Sequence, residues 1–176
     1  MANEKPPDLG FRPRGGSPHT AGVQVIRLGH LVASELGVSH PLVCDYATSG
    51  RRSELLDVFI PPTATAAIST LTGSDPVANV GRRPVLYVDI ALYAQVFQAT
   101  TCNTWIPAHL RGKRDNRVLS LAEVFSRGIG WFVERSQFAN ENIEAERTSP
   151  EEIEGCAREF ISSVLQHGCH VGDDSL

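Results

Sequence analysis

Three short apolar segments of the sequence end in residues that could bind an anion or a sugar hydroxyl. In the first segment, Arg27 and Gly29 follow the β-branched residues Val25 and Ile26. An arginine in an apolar strand is costly unless its guanidinium reaches an anion or solvent, and a glycine allows a close approach to the backbone. Arg27 is therefore predicted either to bind a phosphate or to pair with a structural carboxylate such as Asp45.

The second segment ends in Thr72, Gly73 and Ser74, followed by Asp75 and Pro76. Small polar residues followed by a proline predict a strand–turn–helix junction. The free backbone N–H groups of such a helix start could hold a diphosphate. Helix capping alone explains the same composition, so both interpretations stay open. The sequence has no GxGxxG and no P-loop motif, which argues against a standard dinucleotide or ATP site.

The third segment ends at Asp45, and Ser53 and Asp57 lie in the turn and helix that follow. Such residues at a strand end can bind ribose hydroxyls, a metal-bound phosphate or an acceptor hydroxyl awaiting deprotonation. A capped helix with a solvated face is the alternative, and the sequence alone favours it. The four cysteines match no zinc-site spacing, so no metal site is predicted. No cofactor is predicted either.

The segments that must position these residues alternate between strands and helices. Strands are predicted at 22–29, 41–47, 65–71 and 84–89, with helices at 30–36, 51–59, 77–80, 120–127 and from 149 onward. Residues 90–116 are predicted to be a loop with a brief extended piece at 105–107, and 138–146 to end in a short strand. This alternation predicts an α/β fold, a single Rossmann-like domain with a short parallel sheet flanked by helices. The predicted organisation is a flexible lead-in at 1–21, the domain at 22–168 and a disordered tail at 169–176.

The composition is that of a globular protein with no strongly basic face. Hydrophobic residues make up 41% of the chain, charged residues 20%, and the formal net charge is −4. This balance argues against a nucleic-acid partner. No stretch approaches the ~20 apolar residues of a membrane-spanning helix, and the amino terminus lacks the apolar core of a signal peptide. The sequence therefore predicts a cytoplasmic protein with no transmembrane segment.

The order of these segments resembles a family of bacterial glycosyltransferases of the two-domain GT-B type, often met in cell-surface polysaccharide loci. The resemblance covers about residues 22–160 and rests on five motifs in order. They are Val-Ile-Arg-Leu-Gly at 25–29, Asp-Tyr-Ala-Thr-Ser at 45–49, Ser-Glu-Leu-Leu-Asp at 53–57, Thr-Gly-Ser-Asp at 72–75 and Pro-Val-Leu-Tyr-Val-Asp at 84–89. Asp89 stands where the family pattern has asparagine, and Asp75-Pro76 replaces smaller residues.

The resemblance implies the carboxy-terminal, nucleotide-sugar-binding half of such an enzyme, with a nucleotide-sugar donor and a carbohydrate or lipid-linked acceptor. The implied substrate-binding residues are Arg27, Gly29, Asp45, Ser53, Asp57, Thr72, Gly73 and Ser74, with Arg27 and Asp45 as the catalytic candidates. Arg27 and the 72–74 turn would stabilise the leaving diphosphate. GT-B active sites lie between two Rossmann-like domains, so turnover is expected to need an amino-terminal domain that this chain lacks. The alternative is a non-catalytic α/β module whose exposed apolar face drives self-association.

Overall fold

The computed structural model describes residues 22–71, 73–96 and 102–168, and Thr72 and both chain ends lie outside these ranges. Within them the strands are β1 (Val25–Ile26), β2 (Val43–Cys44), β3 (Ala67–Ser69), β4 (Val85–Ile90), β5 (Thr104–Pro107), β6 (His109–Gly112) and β7 (Ile143–Glu146). The helices are α1 (Glu54–Thr63), α2 (Asp75–Val80), α3 (Leu121–Ser126), α4 (Arg135–Asn140) and α5 (Pro150–His167). Short 3₁₀ turns lie at Tyr46–Thr48, Tyr93–Gln95 and Ile129–Trp131.

The described strands form three small sheets. β1 pairs in parallel with β2, and β4 lies between β3 and β5 in a three-stranded parallel sheet. β6 and β7 form a separate antiparallel pair. The fold is therefore mixed α/β, with short parallel sheets flanked by helices. The expectation of one parallel sheet misses this division. The extended piece predicted at 105–107 lies in β5, whereas β6 falls in the predicted loop.

Strand β4 is the centre of the hydrophobic core because both of its faces are covered. Val85, Tyr87 and Ile90 belong to a cluster that extends to β6, β7, α3 and α4. Leu86 and Val88 face the other way and pack against α5. A strand that is buried on both faces has a continuous run of apolar residues, and such a run makes β4 predictable from the sequence.

A chain of buried polar side chains crosses the larger cluster. The Asn79 amide donates to the Tyr87 hydroxyl at 2.6 Å and accepts from the Asn103 amide at 2.9 Å. The Asn103 carbonyl oxygen accepts from the backbone N–H of Val85 at 3.0 Å. Burial raises the pKa of Tyr87, so its hydroxyl stays protonated at neutral pH. The network fixes α2 and the start of β5 against β4.

The predicted helix starts at 120 and 149 are confirmed by their caps, and α1 begins three residues later than the predicted 51. The Ser53 hydroxyl accepts from the Leu56 N–H, and Ser120 and Ser149 each form a reciprocal capping box with the glutamate three residues later. Helix α1 runs four residues beyond its predicted end at 59, through two prolines near its carboxyl end.

The predicted helix at 30–36 is wrong, because side chains from other segments take up its backbone groups. The Ser34 carbonyl accepts from the Arg27 guanidinium, and the Leu36 N–H donates to the Asp45 carboxylate. Gly37 then turns the chain with a φ of 66°. Side-chain bonds of this kind compete with the helical hydrogen-bond ladder.

Candidate functional site

The parallel strands bring several of the predicted site residues to the carboxyl ends of β1 and β2. Arg27 follows β1, and Asp45 follows β2, which is its parallel neighbour. A guanidinium nitrogen of Arg27 lies 3.2 Å from Asp45 Oδ2, which also accepts from the Leu36 N–H at 2.8 Å. The structural pairing of Arg27 with Asp45 is thus confirmed, and phosphate binding by Arg27 stays a prediction.

Asp45 is held as a carboxylate by the bonds around it. Burial alone would raise the pKa of Asp45, but the Leu36 N–H and the charge of Arg27 outweigh it and lower the pKa. Its Oδ1 is closed off from solvent, and no described residue hydrogen-bonds to it. A ligand hydroxyl would compete with Arg27 and the Leu36 N–H for Oδ2. Asp45 therefore orders the 27–36 segment in the observed conformation.

The backbone of Gly29 lies close to the side chain of Val32. A Cβ atom built at Gly29 would lie 2.8 Å from the Val32 side chain, so the small residue is needed for local packing. This requirement explains the glycine without a ligand.

Ser53 and Asp57 join the end of β2 to helix α1. The buried Tyr46 hydroxyl accepts from the Ser53 N–H at 2.9 Å and lies 3.1 Å from Asp57 Oδ1. The other Asp57 oxygen accepts from Arg52 at 2.6 Å, and this bond holds the pKa of Asp57 below its usual value. Ser53 and Asp57 therefore anchor α1, and their contact with ribose or an acceptor stays a prediction.

A second group of polar residues lies at the carboxyl edge of the three-stranded sheet. Ser69 ends β3 and pairs in register with Tyr87, so the turn after β3 and the end of β4 lie at the same edge. The Ser69 hydroxyl donates to the buried Asp75 carboxylate at 3.0 Å, at the start of α2. This carboxylate already complements the positive end of the six-residue helix.

The turn between β3 and α2 leaves open space above the backbone. A Cβ atom built at Gly73 would meet no described atom within 4 Å, and Gly73 is exposed. Ser74 is the N-cap residue of α2, although its side chain does not make the capping bond. Thr72, the third residue predicted in this turn, lies outside the described residues.

Asp89 is a candidate site residue that its sequence neighbours do not single out as a binding residue. It lies near the end of β4 with a φ of 59°, a left-handed conformation that is uncommon for residues other than glycine. Its Oδ1 accepts from the Thr148 N–H at 2.9 Å, and no described residue donates to its Oδ2. Thr148 is buried, and its hydroxyl has no hydrogen-bond partner among the described residues. The bond joins residues 59 positions apart, so no local pattern could have predicted it.

We name the residues at this edge the carboxyl-edge group: Ser69, Gly73, Ser74, Asp75, Asp89 and Thr148. The group has two carboxylates and no basic side chain. A diphosphate here would depend on backbone N–H groups, whereas the carboxylates suit sugar hydroxyls.

No family model matches the chain, and neither a curated protein nor a solved structure matches it. Within the described ranges, no group of three or more His, Cys, Asp or Glu side chains could hold a metal ion. No helix in those ranges is long and apolar enough to cross a membrane.

A cavity of about 240 Å³ lies at the opposite edge of the sheet, where β3 and β4 begin. Its lining includes Thr65, Arg83 and Pro84 as well as residues at the carboxyl ends of α1 and α5. The Arg83 guanidinium donates to the Pro62 carbonyl at 2.7 Å. The lining also includes Arg82, and the electronegative carboxyl ends of the two helices offset part of the positive charge of the two arginines.

Proposed function

We propose that this chain binds a nucleotide-sugar at the carboxyl-edge group and acts as the donor-binding half of a glycosyltransferase. The transfer would move a sugar to a carbohydrate or lipid-linked acceptor, with the catalytic base supplied by another domain. The observation that carries the proposal is the parallel β3–β4–β5 sheet, which sets the open turn at Gly73 and the carboxylate of Asp89 at one edge. Open parallel sheets bind ligands at this edge.

The geometry suggests a division of roles within the site. The exposed backbone at Gly73 gives the diphosphate a place to approach without a clash. The Asp89 carboxylate, fixed through Oδ1, keeps Oδ2 available to accept from a ribose or sugar hydroxyl. Arg27, at the end of β1 in the other parallel sheet, is the basic candidate from the sequence, and its bond to Asp45 would have to be exchanged for one to the phosphate.

Thermal unfolding with UDP, GDP, dTDP and CMP tests the proposal. A ligand at a hundred times its dissociation constant stabilises the native state by about 2.7 kcal/mol, which is roughly 5–10 °C for a domain of this size. One nucleotide is expected to produce such a shift. If none of the four shifts the transition, the proposal is wrong.

Two glycine variants locate the binding site. Gly73→Glu puts a negative charge into the open space above the turn and should abolish the nucleotide shift while leaving the unliganded protein folded. Gly155→Glu is the matched control, because Gly155 is also exposed and a Cβ there also meets no described atom within 4 Å. Equal nucleotide shifts in the two variants would place the site elsewhere.

A non-catalytic interaction module is the second candidate function. The observation that favours it is the apolar outer face of α1, where Leu55, Val58 and Phe59 are exposed to solvent. A partner could bind this face whether or not the chain binds a nucleotide.

A further inference from the structure

The cavity at the amino edge of the three-stranded sheet lies between two segments that lead into neighbouring strands. Residues 63–65 precede β3, and residues 82–84 precede β4. The Ala67 N–H donates to the Pro84 carbonyl at 2.9 Å, so the two segments are fixed side by side. The volume of about 240 Å³ is below the roughly 300–1,000 Å³ of pockets that hold drug-sized ligands. The cavity therefore suits a ligand much smaller than a nucleotide-sugar.

Arg83 is held in the cavity lining by two hydrogen bonds. Its backbone N–H donates to the Ala78 carbonyl at 3.0 Å, and its Nε donates to the Pro62 carbonyl at 2.7 Å. Within the described ranges, neither terminal guanidinium nitrogen of Arg83 has an acceptor, and no carboxylate pairs with the side chain. A partly buried guanidinium that is fixed through Nε offers its two terminal nitrogens as a fork for two oxygens of one anion.

The segment before β3 adds uncharged donors to the lining. In the part of the chain that the structure describes, neither the hydroxyl nor the backbone N–H of Thr65 has an acceptor. The Thr63 hydroxyl, in contrast, already donates to carbonyls in the last turn of α1. An anion in the cavity thus has donors on both segments. A tetrahedral phosphate can present oxygens to both, whereas a single guanidinium fork uses both oxygens of a carboxylate.

Arg82 brings a second positive charge to the lining, in an unusual backbone conformation. Its φ is 53°, in the left-handed region that residues other than glycine rarely adopt. Strained residues of this kind are concentrated at ligand sites. The electronegative ends of α1 and α5 oppose an anion, but the carbonyls of Phe59, Ile60 and Pro62 already accept hydrogen bonds. These bonds limit the repulsion that α1 exerts.

We propose that this cavity binds a phosphate group, either as inorganic phosphate or as the phosphate of a small phosphomonoester. Arg83 donates to it from both terminal nitrogens and Thr65 from its hydroxyl, and Arg82 adds positive charge. The cavity lies at the opposite edge of the sheet from the carboxyl-edge group, so this inference goes beyond the proposed function and does not depend on nucleotide binding. A bound phosphate joins the segments before β3 and β4 and stabilises the native state.

Isothermal titration calorimetry of the full chain with sodium phosphate tests the site, with sodium chloride of equal ionic strength as the blank. We expect one saturable site with a dissociation constant on the order of 1 mM. Arg83→Gln removes charged donors and should raise this constant at least about tenfold, whereas Thr65→Val removes one neutral donor and should raise it about two- to tenfold. Arg114→Gln is the matched control, because Arg114 is exposed and lies outside the cavity lining. Far-UV circular dichroism verifies that each variant is folded.

Two further ligands define the chemistry of the site. Glycerol phosphate that binds more tightly than inorganic phosphate identifies a phosphomonoester site, and the reverse order identifies a free-phosphate site; both results support the proposal. Acetate should bind at least about tenfold more weakly than phosphate, since it cannot reach the donors of both segments. Equal affinities for acetate and phosphate overturn the proposal.

The remaining outcomes separate this site from the proposed nucleotide site. The absence of saturable phosphate binding up to about 20 mM overturns the inference, and so does Arg83→Gln binding phosphate as tightly as the wild type. Gly73→Glu, which is designed to block the nucleotide, should leave phosphate binding unchanged. If Gly73→Glu abolishes phosphate binding, the phosphate binds at the carboxyl-edge group, and the inference fails while the proposed function stands.

Discussion

The buried polar network between α2, β4 and β5 gives the most direct test of how this fold is held together. Asn103→Ala removes the acceptor of the Val85 N–H and the donor to Asn79 Oδ1, and both of these partners are buried. A buried polar group left without its partner costs about 1–3 kcal/mol. The two losses together should lower the free energy of unfolding by about 3 kcal/mol, allowing for partial compensation by water.

Equilibrium unfolding in urea, followed by circular dichroism and tryptophan fluorescence, measures this loss. With a slope of about 2 kcal/mol per molar urea, the midpoint should fall by about 1.5 M. Asn140→Ala is the control, because Asn140 is exposed in the last turn of α4, and it should change stability by less than about 0.5 kcal/mol.

A second variant shows whether the network acts as a unit. Tyr87→Phe removes the hydroxyl that accepts from Asn79 and should cost about 1–2 kcal/mol. Both substitutions remove hydrogen-bond partners of the Asn79 side-chain amide. The double variant Tyr87→Phe with Asn103→Ala should therefore lose less stability than the sum of the two single variants. Strict additivity, or a cost below about 0.5 kcal/mol for Asn103→Ala, would refute the role assigned to the network.

Two further predictions concern glycines and acid stability. Gly155→Ala should stabilise the protein by about 0.5–1 kcal/mol, since Gly155 lies in α5 with open space around it. Gly81→Ala should destabilise the protein by about 1–3 kcal/mol, because the added Cβ would lie 2.5 Å from Pro62 of α1. If urea unfolding gave the two variants changes of the same sign in the free energy of unfolding, this interpretation would be wrong. Hydrogen bonds from Arg117 and from the N–H and hydroxyl of Ser120 lower the pKa of Glu123 from 4.5 to about 2. The contribution of Glu123 to stability is therefore complete above about pH 4.5 and is lost as the pH falls towards 2. Glu123→Gln should therefore flatten the acid side of the stability profile in that window, and an unchanged profile would contradict it.

The parts of the fold with local causes were predictable from the sequence. β4 is a continuous apolar run, and α3 and α5 begin with a serine three residues before a glutamate, so their signals lie within a few neighbouring positions. The failures come from contacts between distant residues. Arg27 and Asp45 bind backbone groups of the 30–36 segment and so prevent the predicted helix. Leu110 of β6 pairs with Ala145 of β7, 35 positions later, and no local pattern indicates this pairing.

The candidate site was predictable only in part, for the same reason. Strand-end residues such as Arg27 and Gly73 stand out because of their neighbours in the sequence. Whether such a side chain can still bind a ligand depends on its internal partners, which the sequence does not reveal. Asp45 is the partner of Arg27, and Thr148 is the partner of Asp89. The structure therefore gives Arg27, Asp45, Ser53 and Asp57 internal contacts. In Asp89 one carboxylate oxygen accepts from the Thr148 N–H.

The two-sided burial of β4 also has a consequence for how the protein opens. Val85 and Tyr87 are covered by one hydrophobic cluster, and Leu86 and Val88 by the other. Detachment of α5 alone, or of the β6–β7 layer alone, leaves the opposite face of β4 covered and its hydrogen bonds to β3 and β5 in place. The β4 amides should therefore exchange with deuterium only when the whole domain unfolds, and their protection reports its global stability.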